Sequence, residues 1–194
     1  MPVISRYVLL AGWLLSGAGL SAHAATLEIK INDQNGQPLE NAVVELVSSD
    51  STSPIVNNEQ APGYKMVQQN KAFAPFVLAV PRHAAVYFPN LDSTRHHVYS
   101  FSPAKTFEIK LYKGKPHAPV VFDKPGVVAL GCNIHDNMQG HIYVSDSSNV
   151  AVTDSQGRIR FTGLDAPSYQ IKLWHPWQKK NLALKKVHLD GAPI

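Results

Sequence analysis

The stretch Gly131-Cys132-Asn133-Ile134-His135-Asp136-Asn137-Met138-Gln139-Gly140-His141 holds the only cysteine of the chain, a histidine three places on, and a methionine three places after that. Thiolate, imidazole and thioether are soft or borderline donors. As a set they suit copper better than calcium or magnesium, which take oxygen ligands. Copper electron-transfer sites place two His and one Cys in a plane with a long, weak axial Met. This loop offers three of those four, so a second histidine has to come from elsewhere in the chain. Each donor also has an ordinary reading: Cys132 beside His135 fits a buried thiol and a surface imidazole, and Met138 alone fits core filler. The spacing of all three in one loop is what points to a metal.

Strand-like runs flank the loop, Val127–Leu130 before it and Ile142–Val144 after it. Upstream, Thr26–Ile31 alternates apolar and polar residues as a half-buried strand does. Asp33–Gln37 reads as a turn, and Ala42–Val47 as the returning strand. Residues 48–63 are rich in Ser, Asn and Pro without periodicity, which predicts a loop or linker. The pattern resumes at Phe73, with strands expected at Phe76–Val80, Ala85–Phe88, His96–Phe101, Phe107–Leu111 and Val120–Phe122. After Ser145 a second hairpin signal, Asp154–Arg158, opens onto Ile159–Phe161. A turn at Gly163–Pro167 and a strand at Tyr169–Trp174 follow. The two pentapeptides Asp33–Gln37 and Asp154–Arg158 look alike, though two short turns do not establish a repeat. The lysine-rich tail Lys179–Lys186 reads as a solvated edge strand. Trp174, His175 and Trp177 read as a satellite core closing the second sheet, rather than as an aromatic docking surface. No long amphipathic helix is visible, so the chain is expected to be all-β, a sandwich or barrel of short strands.

Arg6, the apolar run Tyr7–Leu20 and Ser21-Ala22-His23-Ala24 have the layout of an export leader cut after Ala24. The run is shorter than the roughly 20 residues a spanning helix needs, and no cysteine follows it to carry a lipid. A periplasmic or secreted protein with no transmembrane segment after cleavage is expected. The formal net charge of +4 comes without a dense Lys/Arg run or an aromatic-interleaved basic stripe, which argues against nucleic acid. In an oxidising compartment a single cysteine cannot pair within the chain. It is inert, bridged to another molecule, or occupied by a metal. No acid/base pair stands near a nucleophile, so no enzyme is expected.

Four upstream histidines are available: His83, His96, His97 and His117. His83 and His117 fall in proline-marked turns and read as surface residues. His96 and His97 are neighbours on one strand and point to opposite faces, so only one of them meets the loop. His141 continues from the loop onto a strand, where a surface role is expected rather than ligation.

Val86-Tyr87-Phe88-Pro89-Asn90, Arg95-His96-His97-Val98, Gly126–Cys132 and the Cys132-x2-His135-x2-Met138-x-Gly140 loop together resemble the cupredoxins, the small blue copper proteins, over Phe73 to Val144. The resemblance implies a Greek-key β-sandwich holding one type 1 copper ion on His96, Cys132, His135 and Met138. It implies an electron carrier with a redox partner protein of unknown identity, an exposed His135 as the electron exit, and an apolar rim for docking. Arg95 stands where that family often has Pro, His97 where it often has Asn, and Gly131 where an aromatic usually precedes the cysteine. Outside that region, Asp154, Gly157, Phe161 and Gly163-Leu164, with Tyr169-Gln170-Ile171-Lys172-Leu173-Trp174-His175-Pro176, resemble carboxypeptidase-regulatory, prealbumin-like β-sandwiches. The whole layout is similar to proteins labelled methylamine utilization proteins. The expected division is a leader (1–24), an N-terminal hairpin and linker (25–63), a cupredoxin-like copper domain (64–145), and a C-terminal β segment (146–194). That last segment packs with 25–48 into a smaller β unit. The alternative function is a periplasmic module that binds copper without redox duty, or that recognises a protein or glycan.

Overall fold

The computed structural model describes residues 8–12, 25–48, 63–116, 118–164, 168–179 and 185–189. The expected cleavage site Ala22-His23-Ala24, nearly all of the 48–63 linker, His117, residues 165–167 of the turn and 180–184 of the tail lie outside them. In chain order the strands begin with β1 (Val8–Gly12), β2 (Ala25–Asn32), β3 (Val43–Ser48), β4 (Tyr64–Lys65), β5 (Val67–Gln69) and β6 (Ala72–Ala74). They continue with β7 (Val77–Pro81), β8 (Ala84–Tyr87), β9 (His96–Ser102), β10 (Lys105–Tyr112), β11 (Val120–Phe122) and β12 (Gly126–Gly131). The last are β13 (Gln139–Ser145), β14 (Val150–Val152), β15 (Arg158–Leu164), β16 (Ser168–Trp174) and β17 (Lys185–His188). The chain is all-β, as its alternating runs predict. It divides into two compact units, Pro54–Val150 and the combination of Met1–Ser53 with Ala151–Ile194.

The central unit is a Greek-key sandwich. Its five-stranded sheet runs β10-β9-β12-β13-β7 and its three-stranded sheet β11-β8-β4. After β10 the chain crosses to β11 in the other sheet, then returns as β12 on the far side of β9. β7 lies parallel to β13, which a hairpin cannot achieve and a crossover between sheets can. Alternation decides which side chains point inward. On β9 the buried positions are His96, Val98 and Ser100; on β12 they are Val128 and Leu130, and Cys132 continues that parity just past the strand. Val80, Val98, Val128, Leu130, Ile142 and Val144 from one sheet share a core with Val86, Phe88 and Phe122 from the other. Burying side chains of this kind is worth about 1.5–3 kcal/mol each, so a one-residue slip of β9, turning His96 and Val98 outward, is strongly disfavoured.

Two features of this unit have no counterpart in the sequence periodicity. The first is the short hairpin β5–β6, whose tip residues Asn70 and Lys71 have φ of 55° and 57°. The second is β4, which adds to the three-stranded sheet parallel to β8. The hairpin contains Phe73, paired with Gln68, and begins the strands of this unit upstream of where the alternation resumes.

In the other unit early strands pair with late ones. β2 lies between β1 and β15, and the second sheet runs β14-β3-β16-β17. β1 comes from the apolar run read as an export leader and forms the edge beside β2. The core collects Leu27, Ile29, Ile31, Val44 and Leu46 with Ile159, Phe161, Tyr169 and Ile171. The two similar pentapeptides form the same turn. Asp33 Oδ1 accepts the N–H groups of Asn35 and Gln37, both at 2.9 Å, and Asp154 Oδ1 accepts those of Gln156 and Arg158, both at 2.8 Å. Gly157 (φ 68°) accepts the Ile31 N–H, and a Cβ there would lie 2.2 Å from the Ile31 oxygen, so only glycine fits. The expected aromatic satellite core is only partly realised. His175 is buried, its Nε2 on the Glu40 carbonyl at 3.1 Å, whereas Trp177 is 47% exposed. No helix among the described residues is long and apolar enough to cross a membrane.

Candidate metal centre

Cys132 and His135 are close because their loop is a tight turn: His135 N–H reaches the Cys132 carbonyl at 3.4 Å, and Met138 N–H reaches that of His135 at 2.9 Å. His96 arrives from the start of β9, whose neighbour β12 aligns Gly131 with Tyr99. The result is a compact donor set. Cys132 Sγ lies 3.8 Å from His96 Nδ1 and 3.8 Å from His135 Nδ1. One ligand atom from each of the three residues falls within 4.8 Å of the others. Cys132 and His96 are buried and His135 half-buried. Met138 is buried in the same core cluster as Cys132.

These distances allow a test of fit. Imidazole nitrogen and thiolate sulfur bind first-row divalent ions at about 2.0 and 2.3 Å. Two such donors 3.8 Å apart subtend an angle of about 120–125° at a shared ion, given those lengths. Each S–N pair is therefore close enough to share one ion. With a thiol, two imidazoles and a thioether buried in the same cluster as the thiol, the donor chemistry suits copper.

The remaining histidines are placed elsewhere. His97 faces away from His96, its Nε2 2.9 Å from Glu108 Oε1 without hydrogen-bond alignment. His83 is exposed in its turn. His141 lies on β13 and packs edge-on against Phe76 at 5.4 Å between ring centres. The glycine before the cysteine has a physical reason. A Cβ on Gly131 would fall 2.7 Å from the ring of Tyr99, so a side chain there would have to displace that ring.

The structure adds a partner that local sequence reasoning missed. Asp92 Oδ2 lies 2.8 Å from His96 Nε2. The same carboxylate accepts the backbone N–H groups of Asn70 at 2.7 Å and Lys71 at 2.9 Å. Desolvation works against its charge, but donation from Lys71, His96 and Asn70 outweighs it and holds Asp92 below the usual carboxylate range. Because Nε2 faces a carboxylate it carries the proton, and the Nδ1 lone pair is left to face the sulfur. Buried Asn90 fixes the loop that carries Asp92. Its Nδ2 donates to the carbonyls of Thr94 and Tyr112, both at 2.9 Å, and its Oδ1 accepts the Asp92 N–H at 3.0 Å. Nearby, Gln68 and the Tyr112 hydroxyl both donate to the Phe88 carbonyl. Burial pushes Tyr112 up to about 12, with the Gln68 bond opposing and the charge of Cys132 adding.

No family model matches the chain, and no curated protein does. Among solved structures, it aligns with a purple cupredoxin from Nitrosopumilus maritimus at 22% identity and a TM-score of 0.38, over 42% of this chain and 99% of that one. A variant of amicyanin aligns at 13% identity and 0.40, over 55% and 100%. A copper-containing nitrite reductase from Thermus scotoductus aligns at 22% and 0.41, over 51% of this chain and 27% of the reductase.

Proposed function

We propose that the chain is an exported, cupredoxin-like carrier of single electrons, in which His96, Cys132, His135 and Met138 would hold one type 1 copper ion. The observation that carries this reading is the His-Cys-His donor set, with both sulfur–nitrogen separations at 3.8 Å. When bound, the ion supplies a one-electron couple between Cu(II) and Cu(I). The chain's own contribution is rigidity. His96, Cys132 and Met138 are buried, His135 sits in a hydrogen-bonded turn, and β9 and β12 fix the gap between His96 and Cys132, so the donors would need to move little between oxidation states. His135 is the ligand nearest solvent, and Ile134 beside it is 44% exposed; together they form the exit and a docking point for a redox partner protein. We read the site as a carrier and not a catalyst. The flanking unit is read as a carboxypeptidase-regulatory-like sandwich in a methylamine utilization-type layout, and the protein as periplasmic or secreted after cleavage at Ala24. The test is an optical and electron paramagnetic resonance spectrum of the copper-reconstituted protein. An intense band toward the red end of the visible, lost on reduction, supports the reading; copper bound without a sulfur charge-transfer band overturns it and leaves the non-redox module.

A further inference from the structure

We infer that Asp92 is a positioning residue of the metal centre, whose carboxylate sets the tautomer and ring angle of His96 and favours the more highly charged oxidation state of the ion. The inference rests on the copper reading above. Metal-bound imidazoles commonly hand their second N–H to an oxygen that fixes the ring and raises its basicity. Here that oxygen belongs to a carboxylate, 2.8 Å from Nε2, while Nδ1 of the same ring faces Cys132. The carboxylate is itself held at both ends. Asn70 N–H binds Oδ1, Lys71 N–H binds Oδ2, and Oδ2 also receives His96. Two successive backbone N–H groups converging on one anion form a rigid anion-binding concavity, so Asp92 cannot swing away from the ring. Its backbone is anchored in turn by Asn90. The chain of contacts therefore runs from the β5–β6 tip through Asp92 to His96 and the sulfur. A fixed negative charge on a ligand's far side stabilises Cu(II) more than Cu(I), which lowers the reduction potential.

The experiment compares the full chain with Asp92→Asn and Asp92→Ala. Asparagine keeps the volume but offers one acceptor oxygen to three converging N–H groups, so at least one contact is lost. Cu(II) and Cu(I) affinities are measured by chelator competition, and the midpoint potential by spectroelectrochemistry. Cu(II) affinity should fall roughly 10- to 100-fold, Cu(I) affinity less, and the midpoint potential should rise. Equal losses for both ions, with an unchanged potential, would mean that Asp92 only buttresses the hairpin, and would overturn the inference. The wild-type metal-free protein gives an independent check should the variants fold poorly: nitrogen NMR of His96 should show the Nε2–H tautomer, and an Nδ1–H ring would overturn the proposal. Failure of the copper reading looks different. There, Cys132→Ser would bind copper as tightly as the parent, whatever happens at Asp92.

Discussion

Replacing Cys132 by serine removes the one donor that no other residue of the chain can supply. The thiol is 4% exposed, so the hydroxyl enters a closed space, and the shorter C–O bond leaves its oxygen no nearer than the sulfur's 3.8 Å to His96 Nδ1 or His135 Nδ1 unless the side chains shift. The metal-free variant should therefore stay within about 1–3 kcal/mol of the parent, the usual cost of an imperfectly satisfied buried polar group. Metal is where the two must part. Free copper at a hundred times its dissociation constant stabilises the parent by about 2.7 kcal/mol, which for a unit the size of Pro54–Val150 corresponds to roughly 10–20 °C. A serine hydroxyl is neutral and hard where the thiolate is charged and soft. A site weakened a hundredfold at the same copper concentration gains only about 0.4 kcal/mol, or about 2–3 °C. Scanning calorimetry with and without copper reads this difference, and comparing shifts cancels any loss in the metal-free form. A copper shift in Cys132→Ser as large as the parent's would refute the ligand assignment and the cupredoxin reading with it.

Three further outcomes follow from the same geometry. His96→Ala should lose copper while His97→Ala keeps it, because His97 points away from the sulfur toward Glu108; the reverse pattern in equilibrium dialysis would put the ligand on the wrong face of β9. Met138→Leu conserves volume and should cost less than about 1.5 kcal/mol in a urea melt. It should retain copper but raise its potential, since the lost thioether donates more to Cu(II) than to Cu(I); an unmoved potential removes Met138 from the site. Away from the metal, burial holds His175 below its ordinary value of 6.5, with the Glu40 carbonyl opposing. The unfolded chain thus binds a proton there before the folded one does. Stability should fall as the pH drops below about 6.5, and the drop in urea midpoint between pH 7.5 and 5 should shrink in His175→Gln.

The candidate loop stood out because Cys132, His135 and Met138 are local in sequence; the structure brings the first two together with His96. The all-β class followed from alternation. Period-two reasoning also narrowed His96 and His97 to one candidate, though it could not say which faced inward without the register that Val98 and Ser100 provide. Asp92 was invisible for the opposite reason. It reaches His96 from an irregular loop, and the N–H groups that clamp it come from Asn70 and Lys71, at the tip of a hairpin too short and polar to show a pattern. Gly131 looked like a departure from type until Tyr99 was found occupying the space a side chain would need. Such exchanges across a ladder are pairwise and non-local, and a single sequence does not display them.

The pairing of early with late strands sets an order of assembly. β15 is the partner of β2, and β16 of β3, so neither contact can form until nearly the whole chain exists. The residues of the metal centre belong to a continuous stretch, Pro54–Val150, and need no such wait. Closing a disordered span of about a hundred residues costs on the order of 4 kcal/mol in chain entropy. That cost changes once the intervening stretch has folded and no longer behaves as random coil. The central unit can therefore form before its flanks pair. A chain that stops short of Arg158 keeps every proposed copper ligand yet strands Leu27, Ile29, Val44 and Leu46 without the late strands that cover them. Such a fragment joins a full set of proposed ligands to unpaired strand edges, and those edges invite self-association.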